Sequence, residues 1–240
     1  MWLFLILFTV INACPFDQLD MDKISFETID EYRTKERPFV LHNAMKEWTF
    51  ILNSSRNFVD RFKFMKLKYD TRDDLAAIGV ATRTINMSDV YNVEGLSFTY
   101  FNDMKQNNKQ TEMDQLVNYF PRLEFSERLP TRFKNHKVLS LAKESGGIDF
   151  HYHDGTYLAL LEGVKEWQIF PHDWERYLEY GHPSKEFENR IQFIPLICKQ
   201  PYGTIFYLPA RYDHRTVNIG NNFAMAWQET YPTHTPNMPP

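Results

Sequence analysis

The sequence predicts a mostly β fold with flanking helices, and three observations lead there. The 240 residues are 43% hydrophobic and 24% charged, with only 9 Gly and 13 Pro, the composition of one globular chain with a sizeable core. Aromatics reach 16%, with Phe 20 and Tyr 13, which suits pleated surfaces packed face to face. Beyond about residue 136 the chain breaks into short apolar runs mostly punctuated by Gly, Pro or Asn, the pattern of successive strands. A mean hydropathy of −0.49 and a single short apolar run exclude a multi-span membrane protein. The net charge of −4, with no basic block, gives no support for nucleic acid as a partner.

Residues 1–13 read as a secretory signal peptide. Met1 to Ile11 is apolar and uncharged, Ala13 is a small residue at its end, and the run is too short for a stable membrane span. The expected location is the lumen of the endoplasmic reticulum or the secretory route beyond it. Cys14 and Cys198, the only cysteines, could pair in that oxidising compartment. Asn53-Ser-Ser and Asn86-Met-Ser are N-glycosylation sequons with meaning only there.

Residues 14–135 read as an α/β flank bracing a barrel. Phe26 to Tyr32 fits a helix and Pro38 to Leu41 a strand. Ser55 to Phe62 fits a helix with apolar Phe58, Val59 and Phe62. Met113 to Phe120 fits another, stopped by Pro121, and Asn107 to Gln110 is a loop. In residues 136–230, strands are expected over Val138–Ala142, Asp149–His153, Tyr157–Leu161, Glu166–Phe170, Pro195–Lys199, Thr204–Leu208, Tyr212–Ile219 and Phe223–Gln228. A helix over Trp174–Tyr180 interrupts them, and residues 231–240 form a tail. So many short strands predict a double-sheet jelly roll of the cupin type.

The chemistry concentrates in Asp149-Phe-His151-Tyr-His153-Asp154. Strand alternation puts Asp149, His151 and His153 on one face, with the two imidazoles about 6.6 Å apart at Cα. Two such imidazoles can converge on one first-row metal, and a jelly roll can bring His214 beside them as a third ligand. A His-x-His pair on a strand is also common without a metal.

The stretch Phe150-His-Tyr-His-Asp-Gly-Thr-Tyr-Leu-Ala-Leu-Leu-Glu-Gly-Val-Lys-Glu-Trp-Gln-Ile-Phe-Pro171 resembles the first signature of the Jumonji C (JmjC) domain family. There a His-x-Asp/Glu pair precedes Gly-x-Lys-x-Trp and an apolar-Phe-Pro strand. Pro201-Tyr-Gly-Thr-Ile-Phe-Tyr-Leu-Pro209-Ala-Arg-Tyr212-Asp-His214, followed by Asn218, resembles the second signature. Arg37-Pro38-Phe-Val-Leu-His-Asn with Trp48 resembles the family's first strand.

The resemblance implies His151 and His214 as ligands of Fe(II), with a carboxylate two residues after His151. It also implies that Lys165 pairs with the distal carboxylate of 2-oxoglutarate. This chain has His153 at the carboxylate position, and Ile148 where many members place a threonine that binds the keto acid. Three readings stay open: a three-histidine site for Fe or Zn, a carboxylate supplied instead by Asp149, or a degenerate site. Asp154 is a poorer substitute, because alternation turns it away. Tyr207 and Tyr212 could line the pocket mouth, although aromatics on barrel strands usually serve packing.

Neither cysteine looks catalytic, and a disulfide tying the N-terminus to the barrel is expected. The functional expectation is a lumenal JmjC-fold protein, an atypical or lapsed oxygenase acting through partner binding or regulation. The alternative is an active 2-oxoglutarate-dependent hydroxylase of a protein substrate in the secretory pathway. The resemblance also points to a homodimer, which family members often form.

Overall fold

The computed structural model describes residues 14–48, 55–71, 83–93, 96–99, 124–130, 136–170 and 195–229. The signal-like leader, Asn53, the helices expected over Met113–Phe120 and Trp174–Tyr180, the 107–110 loop and the C-terminal tail lie outside these residues.

The protein is mostly β. A short strand β1 (Asp17–Asp20) leads to helix α1 (Phe26–Thr34), then to β2 (Phe39–His42) and helix α2 (Ser55–Arg61). Ser25 caps α1, its hydroxyl accepting the Thr28 N–H at 3.4 Å, as its place before the apolar-periodic run requires. Strands β3 (Lys66–Thr71), β4 (Arg83–Asn86) and β5 (Leu96–Thr99) follow, then helix α3 (Glu124–Arg128). The second half holds β6 (His136–Ala142), β7 (Gly147–His151), β8 (Thr156–Phe170), β9 (Leu196–Pro201), β10 (Ile205–Leu208) and β11 (Asp213–Gln228). No helix among the described residues is long and apolar enough to cross a membrane.

Two differences from the expected strands share one cause. Tyr157–Leu161 and Glu166–Phe170 form a single strand, β8, and Tyr212–Ile219 and Phe223–Gln228 form a single strand, β11. The glycines that look like terminators mark irregularities inside continuous strands. The β8–β11 register shifts between Ile219 and Ala224, and Gly163 sits at that kink with φ +80. A Cβ there would lie 2.2 Å from the Asn221 carbonyl oxygen, so only glycine lets the two strands stay paired through the bend.

This kinked pair is the spine of the main sheet, whose order is β1-β2-β10-β8-β11-β6. The start of β8 pairs with β10 and its later part with β9; the start of β11 pairs with β7 and its end with β6. The later part of β8 folds back over its own early part and β10. Trp167, on the later part of β8, packs on Phe206 of β10 with ring centroids 4.7 Å apart. Between them lies one apolar core of Leu158, Leu160, Trp167, Ile169, Phe206 and Leu208. The opposite face of the early β8 region packs Tyr157, Phe223 and Trp227 against Ile29, Phe58 and Phe125 of the helices. Burial on both faces explains why β2 reads as an uninterrupted apolar run: Phe39 and Leu41 join one core and Val40 the other.

The three-stranded sheet β4-β3-β5 is an element the sequence pattern does not disclose. Asn86, the second sequon, ends β4 on its exposed side. Cys14 and Cys198 form a disulfide joining the segment before β1 to β9.

Candidate metal centre

Two strand ends and the turn that meets Arg211 build the site. His151 closes β7, His214 is the second residue of β11, and the two are direct cross-strand partners. Their ring centroids lie 4.4 Å apart. His153 lies past the end of β7, so its position does not come from strand alternation. It follows from the turn, where the Arg211 N–H donates to the His153 carbonyl at 3.0 Å. Its ring lies 5.4 Å from that of His151 and 4.7 Å from that of His214. The ligand nitrogens of the three residues all fall within 4.8 Å of one another, close enough to serve one metal ion.

The backbone sets the tautomers. Nδ1 of His151 donates to the Asp149 carbonyl at 2.7 Å, Nδ1 of His153 to the Asp154 carbonyl at 2.6 Å, and Nδ1 of His214 to the Tyr212 carbonyl at 2.9 Å. A carbonyl can only accept, so each Nδ1 carries the proton and each Nε2 the lone pair a metal needs. Burial, together with the neighbouring His151 and His153 rings, holds His214 well below the usual histidine range. It is therefore a neutral imidazole at neutral pH, the state that binds metals.

Asp149 is not part of this group. The β7–β11 register shifts between His214 and Thr216, because Ile148 faces Thr216 while His151 faces His214. Two residues of β7 therefore oppose Arg215 alone, a bulge that reverses the side on which Asp149 stands. Its carboxylate accepts the Phe150 N–H at 2.9 Å and faces the Arg215 guanidinium at 4.0 Å. Arg215 in turn stacks 4.8 Å over Phe150 and donates to Gln168 at 2.7 Å. Asp149, His151 and His153 do not share one face as the alternation predicts. Asp213, which the sequence reading did not single out, is pushed up to about 8 by burial, with Asp149 adding to the effect.

Lys165 lies inside the fold. On the paired β8 and β11 strands, His214 faces Ile169, Thr216 faces Trp167 and Asn218 faces Lys165, so these six side chains share the interior face. The Lys165 ammonium donates to Asn218 Oδ1 at 2.7 Å, and burial alone lowers Lys165 to about 7. Trp167 forms the wall between this lysine and the histidines, its ring 5.6 Å from His214. The tyrosines considered for the pocket mouth lie elsewhere. Tyr207 stacks on Tyr157 in the helix-facing core at 4.5 Å, and the Tyr212 hydroxyl donates to the Glu36 carbonyl at 3.2 Å.

Thr216, Asn218 and Gln200 are polar interior residues to which the sequence reading gave no role. The parity of Thr216 and Asn218 with His214 on one strand was the available signal. In comparisons with known proteins, no family model and no curated protein matches the chain.

Proposed function

We propose that the chain is a cupin-type, JmjC-fold metalloprotein of the secretory lumen. In this reading it is an Fe(II)/2-oxoglutarate oxygenase with an all-histidine metal set that hydroxylates a protein side chain. The observation that carries the reading is the convergence of His151, His153 and His214 with every Nδ1 fixed on a backbone carbonyl. Three imidazoles oriented in this way are a built ligand set rather than a chance cluster. Supporting it are the two signature stretches, the mostly β architecture, and the disulfide, which suits an oxidising compartment.

The residues fit a first-row ion such as Fe(II), for which imidazole is a suitable donor. When bound, such an ion supplies Lewis acidity and access to O₂ chemistry. The chain's own contribution is orientation and exclusion of water. Three neutral donors leave the full charge of the ion to attract an anionic cosubstrate. Lys165 offers a positive charge deeper in the interior for that cosubstrate's far end. Trp167 and Ile169 keep the space between them apolar, which strengthens both electrostatic contacts.

A second reading, a partner-binding protein that has lost catalysis, is favoured by one observation: among the described residues no carboxylate joins the three histidines, Asp149 being turned to Arg215. Anaerobic Fe(II) titration separates the two. The first reading expects one equivalent bound by wild type, a loss of at least about 100-fold in His151→Ala, and unchanged affinity in Asp149→Ala. It also expects 2-oxoglutarate binding that disappears in Lys165→Met. Iron that binds only after His153→Asp would establish the second reading instead.

A further inference from the structure

Away from the histidines, a cleft of about 440 Å³ opens between the loop after β1, the turn after β2 and helix α3. No residue of the metal centre lines it. The space holds roughly fifteen waters at about 30 Å³ each, and it falls inside the ~300–1,000 Å³ range of ligand clefts. Its floor is apolar: Ile24 and Phe26 line it where α1 begins, and Phe125 lines it from α3. Phe125 is buried and packs edge-on against Tyr157 at 5.1 Å, so the floor is continuous with the helix-facing core.

The walls are tied to one another around the rim, which leaves the space between them open. On one side the Met21 N–H donates to the His42 carbonyl at 3.0 Å. Asn43, left-handed at φ 62, donates through Nδ2 to Asp20 at 2.8 Å. On the other side the Glu47 carboxylate accepts the Glu124 N–H at 3.2 Å, fixing the start of α3 to the turn after β2. The Arg128 guanidinium lies 4.1 Å over the Phe26 ring and fixes the end of α3 to α1. The opening therefore exists before a ligand arrives, which lowers the ordering cost of binding.

The charge of the rim is unbalanced. Four carboxylates and two cations line the cleft, leaving a formal charge of −2. Lys46 pairs with Asp22, and Arg128 pairs with Glu124 at 2.9 Å, so Glu27 and Glu47 remain. The Ser25 hydroxyl and its own backbone N–H hold Glu27 below the usual carboxylate range, so it is ionised at neutral pH. Among the described residues Glu47 meets only the Glu124 N–H, although a carboxylate has about four acceptor sites. Glu47 stands at the start of α3 and Glu27 near Arg128 at its end, about 6 Å further along the helix.

All six charged residues are exposed. The cleft thus covers one side of its occupant, which suits a chain passing through it. A compact small molecule calls for a site that encloses about 70–90% of its surface.

We infer that this cleft docks an extended segment of a partner protein in which a lysine or arginine is flanked by apolar residues. The apolar side chains cover Ile24, Phe26 and Phe125, and the cation lies between Glu27 and Glu47. An acidic segment meets uncompensated carboxylates there and is rejected. This docking goes beyond the oxygenase reading and needs neither metal nor cosubstrate.

The test uses fluorescein-labelled heptapeptides Gly-Ser-x-Lys-x-Ser-Gly and Gly-Ser-x-Glu-x-Ser-Gly, with x as Leu or Phe. Each is titrated with the metal-free full chain by fluorescence polarisation at low and at high salt. The Lys peptides are expected to bind saturably, at least about tenfold more tightly than the Glu peptides, and more weakly at high salt. Glu27→Gln and Glu47→Gln should each weaken binding about threefold, and the double variant about tenfold. Glu144→Gln, an exposed carboxylate on the β6–β7 turn, should leave it unchanged. Ala44→Trp, which fills the cleft, should abolish it; should that variant fail to fold, the two exposed glutamates carry the test. Equal affinity for Lys and Glu peptides would overturn the inference, as would wild-type affinity in the double variant or no saturable binding of any Lys peptide. None of these outcomes depends on whether Fe(II) binds.

Discussion

The indole N–H of Trp167 donates to Gln200 Oε1 at 3.0 Å, and this bond joins the later part of β8 to its neighbour β9. The same Gln200 amide donates to the carbonyls of Leu158 at 2.9 Å and Thr204 at 3.0 Å, so β9 is tied to the early part of β8 as well as the later one. Gln200 is fully buried. Replacing it by alanine would strand the indole donor, remove the amide's bond to the Leu158 carbonyl (the Thr204 carbonyl keeps the Leu160 N–H at 3.0 Å) and leave a cavity beside Trp167. A loss of about 3 kcal/mol is expected from these combined costs. Urea unfolding would measure it, and a change under about 1 kcal/mol would mean that water replaces the amide.

The disulfide makes a separate contribution. Cys14 and Cys198 are separated by 184 residues, so the bond removes a large closure entropy from the unfolded chain. The chain-entropy account gives on the order of 4–5 kcal/mol for such a loop. The paired variant Cys14→Ser/Cys198→Ser should therefore unfold at a markedly lower temperature than the oxidised protein, in a comparison made without reductant. Peptide mapping without reductant should recover the two cysteine peptides linked; two free thiols would remove the premise.

How much of this was legible beforehand depends on whether side-chain pattern or backbone irregularity decided the outcome. α1 and α2 start where the sequence predicts helices, at Phe26 and Ser55. β6, β9 and β10 follow from short runs between turn residues, within a residue or two of the expected ends. His151 and His214 stand out because of the signatures around them. Bulges left no such trace. One bulge turns Asp149 away from His151, and the kink at Gly163 makes one strand of two apolar runs. His153 joins the site through a turn that alternation cannot describe. The β3–β5 sheet is hidden because Lys66, Lys68, Asp70 and Arg83 interrupt its apolar pattern, so period alone does not distinguish it from loop.

Gly163 gives a direct check on the kink. Alanine would have to hold φ near +80 and would bring its Cβ to 2.2 Å from a backbone oxygen that cannot move aside without breaking the β8–β11 ladder. Gly163→Ala should cost about 2–3 kcal/mol or more. Gly203→Ala is the control, because its φ is +79 with open space around the added carbon, and it should show only the conformational part, about 1 kcal/mol. Equal losses in the two variants would show that the close approach at Gly163 relaxes.

Lys165 makes stability depend on pH in a defined direction. Burial lowers it to about 7, against about 10.4 for a solvated lysine. Between those values the unfolded chain binds a proton that the folded chain does not, so this residue makes stability rise with pH across the window. Below pH 7 both states are charged and the burial of an ammonium weighs fully against folding; above about 10.4 the difference is gone. Lys165→Met, which fills the same space without a charge, should be more stable than wild type at pH 7, by up to about 4 kcal/mol. That advantage should shrink steadily on going to pH 9. Guanidinium unfolding of both proteins at the two pH values isolates the effect, because other titrating groups cancel in the difference. An advantage independent of pH would mean that Lys165 keeps its proton inside the fold, held by an anion rather than by Asn218 alone.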